Sequence, residues 1–213
     1  MYELYGYWRS SASYRVRIAL NLKGIDYTQH TVHLVRDGGE QHQEGFRARN
    51  PHGLVPVLSD GRRDFTQSIA ILEYLEEQHP DPPLLPEAPE DRAWVRSVSQ
   101  TIACEIHPLN NLRVLGYLVN RIGATEDAKL DWYRYWVEQG LAVVETHLAS
   151  LPGEYSLGDR PGYLEACLAP QMYNARRFEC DLSGVPRAVA LDARCLETEA
   201  FRRAAPGNQP DAA

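Results

Sequence analysis

At 213 residues the chain can bury a sizeable core as one large or two small domains, and 44% apolar with 24% charged residues is an ordinary globular composition. A net charge of −7 argues against a nucleic-acid partner, and no apolar run approaches the roughly 18 residues that a membrane-spanning helix requires. Glu3 and Arg9 sit where a secretory signal would be apolar, so a cytoplasmic location is expected. The cysteines, Cys104, Cys167, Cys180 and Cys195, form no C-x-x-C pair and read as buried free thiols. His30 and His33 have no cysteine or acidic companion at ligand spacing, so no metal site is expected.

Tyr2 to Tyr7 reads as a short strand rich in tyrosine. Arg15 to Gly24 reads as a helix closed by glycine, with Val16, Ala19 and Leu20 on its apolar face. Between them lies Trp8-Arg9-Ser10-Ser11-Ala12-Ser13-Tyr14. Its hydroxyls fall at a strand-to-helix turn, where backbone N–H groups point outward and the helix dipole favours negative charge. Two uses are open to Ser10, Ser11 and Ser13, capping the helix or stabilising a thiolate or carboxylate.

Tyr27 to Leu34 alternates as a second strand and is broken by Asp37-Gly38-Gly39. A polar segment with Gln41 and His42 follows, up to Phe46. Leu54 to Leu58 reads as a third strand. Pro56 within it donates no ladder hydrogen bond, which implies an edge, a bulge or a cis bond and leaves Val55 backbone groups for a ligand. Ser59-Asp60-Gly61 turns the chain into a fourth strand, Arg62 to Thr66. Gln67 to Glu77 is a helix with Ile69, Leu72 and Leu75 on one face, Ile71 flanking it, and Ser68 in its first turn. This is a second anion-receptive helix start. The order β-α-β, hairpin, α over residues 1–81 gives a four-stranded mixed sheet flanked by helices, an α/β thioredoxin-like domain without the redox C-x-x-C.

A proline-rich linker is expected over residues 82–90, and an all-α domain over residues 91–213. Trp94, Val98, Ile102 and Ile106 suggest one long helix from Asp91 to Arg121, bent at Pro108. A helix starting at Thr125 buries Tyr133, Val137, Leu141, Val144 and Leu148. Others run from about Tyr163 to Phe178 and from about Pro186 to Leu196, and the polar tail beyond Pro206 is expected to fray.

Arg9-Ser10-Ser11-Ala12-Ser13 with Arg15-Val16-Arg17-Ile18-Ala19-Leu20 resembles the S-S-C-S-x-R-V-R-I-A-L motif of zeta-class glutathione transferases. Val55-Pro56, Gln67-Ser68, His107-Pro108-Leu109-Asn110-Asn111-Leu112-Arg113 and Asn174-Ala175-Arg176-Arg177-Phe178 resemble the same class, so the likeness spans nearly the whole chain. Two departures stand out. Ala12 replaces the usual motif cysteine, so a protein thiol there is dispensable if the chain is active. Gly162 and Glu165 replace a threonine and aspartate capping box, a loss of about 0.5 kcal/mol at the cap.

The resemblance implies a homodimer with the glutathione transferase fold and glutathione as cofactor. It implies cis–trans isomerisation of a maleyl dicarboxylate, maleylacetoacetate or maleylpyruvate, in aromatic ring degradation. A thiolate adds to the cis double bond, the resulting single bond rotates, and elimination gives the trans isomer. On this reading Ser10 stabilises the thiolate, with Ser11 as the runner-up and Arg9 beside them. Ser10, Ser11, Ala12, Ser13, Tyr14 and Arg15 form the cofactor turn. Gln67 and Ser68 take the γ-glutamyl carboxylate, Val55 and Pro56 the cysteinyl unit, and Gln41 or His42 the glycyl end. His107, Asn111, Leu112 and Arg113 add cofactor contacts at the Pro108 bend. Arg9, Arg113 and Arg177 are the candidate clamps for substrate carboxylates. A transferase or dehalogenase of α-halo acids and a non-catalytic interaction module are the alternatives.

Overall fold

The computed structural model describes residues 1–212, in two compact units: Met1–Leu84 with residues 196–212, and Leu85–Cys195. In the first unit β1 (Tyr2–Gly6) runs parallel to β2 (Tyr27–Thr31) and antiparallel to β3 (Val57–Ser59). β3 in turn pairs antiparallel with β4 (Asp64–Thr66), giving the order β2-β1-β3-β4. This is the mixed sheet that the β-α-β and hairpin signals imply. Leu4, Val57 and Leu58 from the sheet are fully buried, as are Val16, Ile18 and Leu20.

The first helix, α1 (Ser11–Leu22), begins four residues before the expected start at Arg15. Ser10 is its N-cap: the side-chain oxygen accepts from Ser13 N–H at 3.2 Å and the carbonyl from Tyr14 N–H at 2.8 Å. Serines read as turn residues are therefore the first turn of the helix. The second strand stops at Thr31, short of the expected Leu34, and a brief helix α2 (Glu44–Arg49) fills part of the segment read as irregular. In α3 (Ser68–Gln78), Ile71, Leu72 and Leu75 are buried and Ile69 is half-buried, so the inward face is centred on Ile71 and not on Ile69.

Beyond Pro206, where fraying is expected, the chain is ordered: a 3-10 turn spans Pro206–Asn208 and Gln209 Nε2 donates to Ala205 O at 2.9 Å. α9 (Glu199–Ala204) covers α1, with Asn21 Nδ2 donating to Ala200 O and Arg17 Nε to Ala204 O, both at 2.9 Å. That cover is why α1 is buried on nearly all sides, Arg15 and Arg17 included. Lys23 closes the same unit. Its ammonium donates to Glu76 Oε2 at 2.7 Å, His79 O at 2.6 Å and Pro82 O at 3.0 Å, while Glu76 accepts from Leu84 N–H at 2.9 Å.

In the second unit the expected long helix is divided. α4 (Pro89–Gln100) passes into a π-helical stretch at Thr101–Ile106, then a 3-10 turn at His107–Asn110, α5 (Leu112–Tyr117) and a second π-helical stretch at Leu118–Ile122. The buried series Val95, Val98, Ile102 and Ile106 keeps ordinary helical spacing through the change of winding, so the inward face continues although the α-helix does not. Buried Val95, not Trp94, starts the inward face of α4. Long α6 (Glu126–Leu148) buries the expected stripe of Tyr133, Val137, Leu141, Val144 and Leu148.

α7 (Tyr163–Arg177) and α8 (Pro186–Glu197) complete the bundle. At the α7 start Gly162 offers the first-turn N–H groups no side-chain acceptor, and Glu165 forms the other half of the cap. Its buried carboxylate accepts from Gly162 N–H at 2.8 Å and from both Ser156 N–H and Ser156 Oγ at 2.7 Å. Cys167, Cys180 and Cys195 are buried thiols, whereas Cys104 is exposed because its π-helical turn points it outward.

Candidate functional site

Strand register gathers the first-unit candidates at one end of the sheet. Tyr5 pairs with Val57, and Val57 with Thr66. The chain leaving β1 into Tyr7–Ser10, the chain entering β3 through Val55-Pro56, and the chain leaving β4 into Gln67-Ser68 therefore emerge together.

The Ser10 turn is closed by Ser10 N–H donating to Tyr7 O at 3.0 Å. A hydroxyl offers one hydrogen and two lone pairs, and capping uses a lone pair, so the Ser10 O–H is left to donate outward. Ala12 N–H, in the first turn of α1, meets no acceptor among the described residues, and the helix dipole adds its positive end there. Ser11 is buried. Ser13 faces the interior, where its Oγ accepts from Tyr7 N–H at 3.5 Å and lies 3.0 Å from where a Cβ on Gly6 would stand. Tyr14 is likewise buried. The Arg9 guanidinium lies over the Trp8 ring at 4.1 Å, and its Nε is buried without a hydrogen-bond partner. Trp8, a residue sequence reasoning passed over, is thus the platform for Arg9; no local pattern marks such stacking.

At the second helix start Gln67 has a left-handed φ of 67°, a conformation costing roughly 1–3 kcal/mol that surrounding structure must hold. Ser68 Oγ accepts from Arg15 Nη1 at 2.9 Å. One buried guanidinium therefore ties the start of α1's neighbourhood to the start of α3. Val55-Pro56 is a cis peptide outside the strand, and Val55 N–H and C=O make no hydrogen bond among the described residues. Gln41 is buried, with Nε2 donating to Leu34 O at 3.2 Å and Oε1 unpartnered, whereas His42 is exposed.

Described within the second unit alone, His107 is half-buried in the 3-10 turn and Leu112 and Arg113 are exposed. Asn111 caps α5, its Oδ1 accepting from Val114 N–H at 3.2 Å. Trp132 Nε1 fixes the same bend by donating to Leu109 O at 2.9 Å. Arg177 is the exposed last residue of α7, its guanidinium 4.8 Å from the Phe178 ring centre. No described group of three or more histidine, cysteine or acidic residues has the arrangement of a metal site.

A mixed β2-β1-β3-β4 sheet with two anion-receptive helix starts at one end defines a thioredoxin-like binding domain. The family described as glutathione S-transferase, N-terminal domain, matches residues 4–83. The chain is 49% identical over 209 residues to a probable maleylacetoacetate isomerase of Vibrio cholerae, covering 98% of this chain and 97% of the relative. To a maleylpyruvate isomerase of Ralstonia sp. it is 47% identical over 214 residues, covering 99% and 100%. Among solved structures, the holo form of a maleylpyruvate isomerase, a bacterial zeta-class enzyme, superposes with a TM-score of 0.95 at 46% identity, over 99% of this chain and 100% of that one. A maleylacetoacetate isomerase of Methylobacterium extorquens AM1 with bound malonate and glutathione gives 0.94 at 40% identity, over 99% of each chain. The chain belongs to the glutathione S-transferase family, in its zeta class.

Proposed function

We propose that this protein is a glutathione-dependent cis–trans isomerase of a maleyl dicarboxylate, maleylacetoacetate or maleylpyruvate. The observation that carries the reading is the Ser10 turn, where an undonated hydroxyl hydrogen and an open Ala12 N–H meet the positive end of α1. Such a receptor fits an anionic sulfur. Bound glutathione supplies the nucleophilic sulfur that adds reversibly to the substrate double bond.

The protein's own groups bind and orient. Ser10 donates its hydroxyl hydrogen to the sulfur and Ala12 its N–H, which together with the dipole keep the thiol deprotonated near neutral pH. Gln67 and Ser68 hold the γ-glutamyl carboxylate, and Arg15 fixes Ser68 from beneath. Val55 pairs its free backbone groups with the cysteinyl unit, and Gln41 or His42 takes the glycyl end, where the unpartnered Gln41 Oε1 can accept an N–H. Ser11, Ser13, Tyr14 and Pro56 shape the floor. Arg9 presents a guanidinium to one substrate carboxylate, and Arg113 and Arg177, both exposed, are the candidates for the second. His107, Asn111 and Leu112 complete the proposed ligand set, Asn111 through its backbone since its side chain caps α5. A homodimer in the cytoplasm belongs to the same proposal; no described helix is long and apolar enough to cross a membrane.

Titration calorimetry with glutathione and a spectrophotometric assay with each maleyl substrate test it. Isomerisation that requires added glutathione is the expected result. Absence of glutathione binding refutes the reading, and turnover of α-halo acids without isomerisation reassigns the site to transferase chemistry.

A further inference from the structure

Residues 196–212 do more than cover α1; they reach the turn that carries Ser10. Beyond α9 the chain is bound back on itself. Asn208 Nδ2 donates to Arg202 O at 2.7 Å, and Gln209 Nε2 to Arg203 O at 2.8 Å and Ala205 O at 2.9 Å. This brings Asp211 beside Trp8, a residue 203 positions away. One Asp211 oxygen accepts from Trp8 N–H at 3.1 Å and the other from Gln29 Nε2 at 3.3 Å.

Arg17 holds the same peptide through its carbonyls. Its Nη2 donates to Trp8 O at 2.9 Å and its Nη1 to Tyr7 O at 3.5 Å, while Nε is anchored on Ala204 O. Burial draws this guanidinium down to about 10, so it is charged at neutral pH, and Asp211 is the carboxylate among the groups that counter the burial. Both backbone polar groups of Trp8 are thus held by side chains, one from α1 and one from the far end of the chain. Tyr7 O also receives Ser10 N–H, and the Trp8 ring carries Arg9. The two candidate groups that meet ligands therefore depend on where this one peptide sits.

We propose that Asp211 is a positioning residue, a clasp on the Trp8 backbone that fixes the turn presenting Ser10 and Arg9. The clasp acts through Trp8, and its relevance to chemistry rests on the reading of that turn as the glutathione site.

The test compares Asp211→Ala and Asp211→Asn with the wild-type chain by amide hydrogen exchange, first without ligand. In Asp211→Ala, exchange over residues 7–12 should quicken about tenfold while β3, β4 and α3 keep their protection. Asp211→Asn should restore most of the protection, because its amide oxygen still accepts from Trp8 N–H. With glutathione bound, the Ala variant should titrate its thiol at higher pH, read by ultraviolet thiolate absorbance. Its kcat should fall about tenfold with less than a threefold change in dicarboxylate KM. Unchanged exchange over 7–12 overturns the clasp. Faster exchange with unaltered thiol titration and kcat overturns its service to the site. Should the wild-type chain bind no glutathione, the functional reading fails by itself, and the exchange comparison alone decides whether Asp211 holds the turn.

Discussion

Ser10 has two separable duties, and replacing it should reveal two separate costs. As an N-cap its oxygen accepts one N–H, from Ser13 at 3.2 Å. Loss of a serine cap to alanine costs about 1 kcal/mol, or roughly 2–4 °C in a chain of this size, whereas glycine costs only a few tenths. As a donor to a thiolate the same hydroxyl contributes a hydrogen bond to a charged group, about 1.5–3 kcal/mol, which is roughly 10- to 150-fold in kcat/KM. Ser10→Ala should therefore lose both stability and turnover. Ser10→Gly should lose turnover alone, and Ser10→Thr should keep most of each. Differential scanning calorimetry and isomerase kinetics on the three variants separate the duties. Turnover of Ser10→Ala and Ser10→Gly within threefold of wild type, with the melting loss confined to alanine, would leave Ser10 a cap and nothing else.

Two further outcomes are expected. Gln67→Gly relieves the left-handed φ of 67°, so the melting temperature should hold or rise while glutathione affinity falls at least about tenfold; weaker folding with intact binding contradicts this account of the α3 start. Glu165 is pushed above its ordinary value by burial, against the hydrogen bonds from Gly162 and Ser156 that lower it. A raised folded-state value means stability that is fully present below the unfolded-state range and is lost as pH rises through the folded one. Wild-type protein should thus gain on Glu165→Gln as pH falls towards the ordinary carboxylate range, and a difference in melting temperature that stays flat on acidification refutes the assignment.

How far the sequence discloses this molecule depends on how local each signal is. The α6 stripe repeats at helical spacing from Tyr133 to Leu148, and every residue read as inward is buried. The sheet order follows from a crossover and a hairpin, both local. Helix α1 was harder, because serine favours turns and caps alike, and only the Ser10–Ser13 bond decides where the helix starts. In the stretch after α4, the apolar spacing fits an α-helix, so nothing local distinguishes the π turns from one bent α-helix. Least legible was the tail. Proline, glycine, asparagine and aspartate after Ala205 look like an unstructured end, since nothing local signals that Asp211 bonds a backbone amide at Trp8. For the site, the two helix starts are motifs in sequence, but Arg15 joining Ser68 is a tertiary fact.

The division of the chain into units has a temporal side. The first unit takes residues from both ends of the sequence, so the ribosome delivers the whole of Leu85–Cys195 before residues 196–212 emerge. Until then Arg17 lacks the Ala204 carbonyl and Trp8 lacks the Asp211 carboxylate. N-terminal domains ordinarily fold first during synthesis, and here the sheet unit completes its contacts only after the whole helical unit has emerged. A nascent chain halted shortly after Cys195 should lack both of these hydrogen bonds at the Tyr7–Trp8 backbone and around α1.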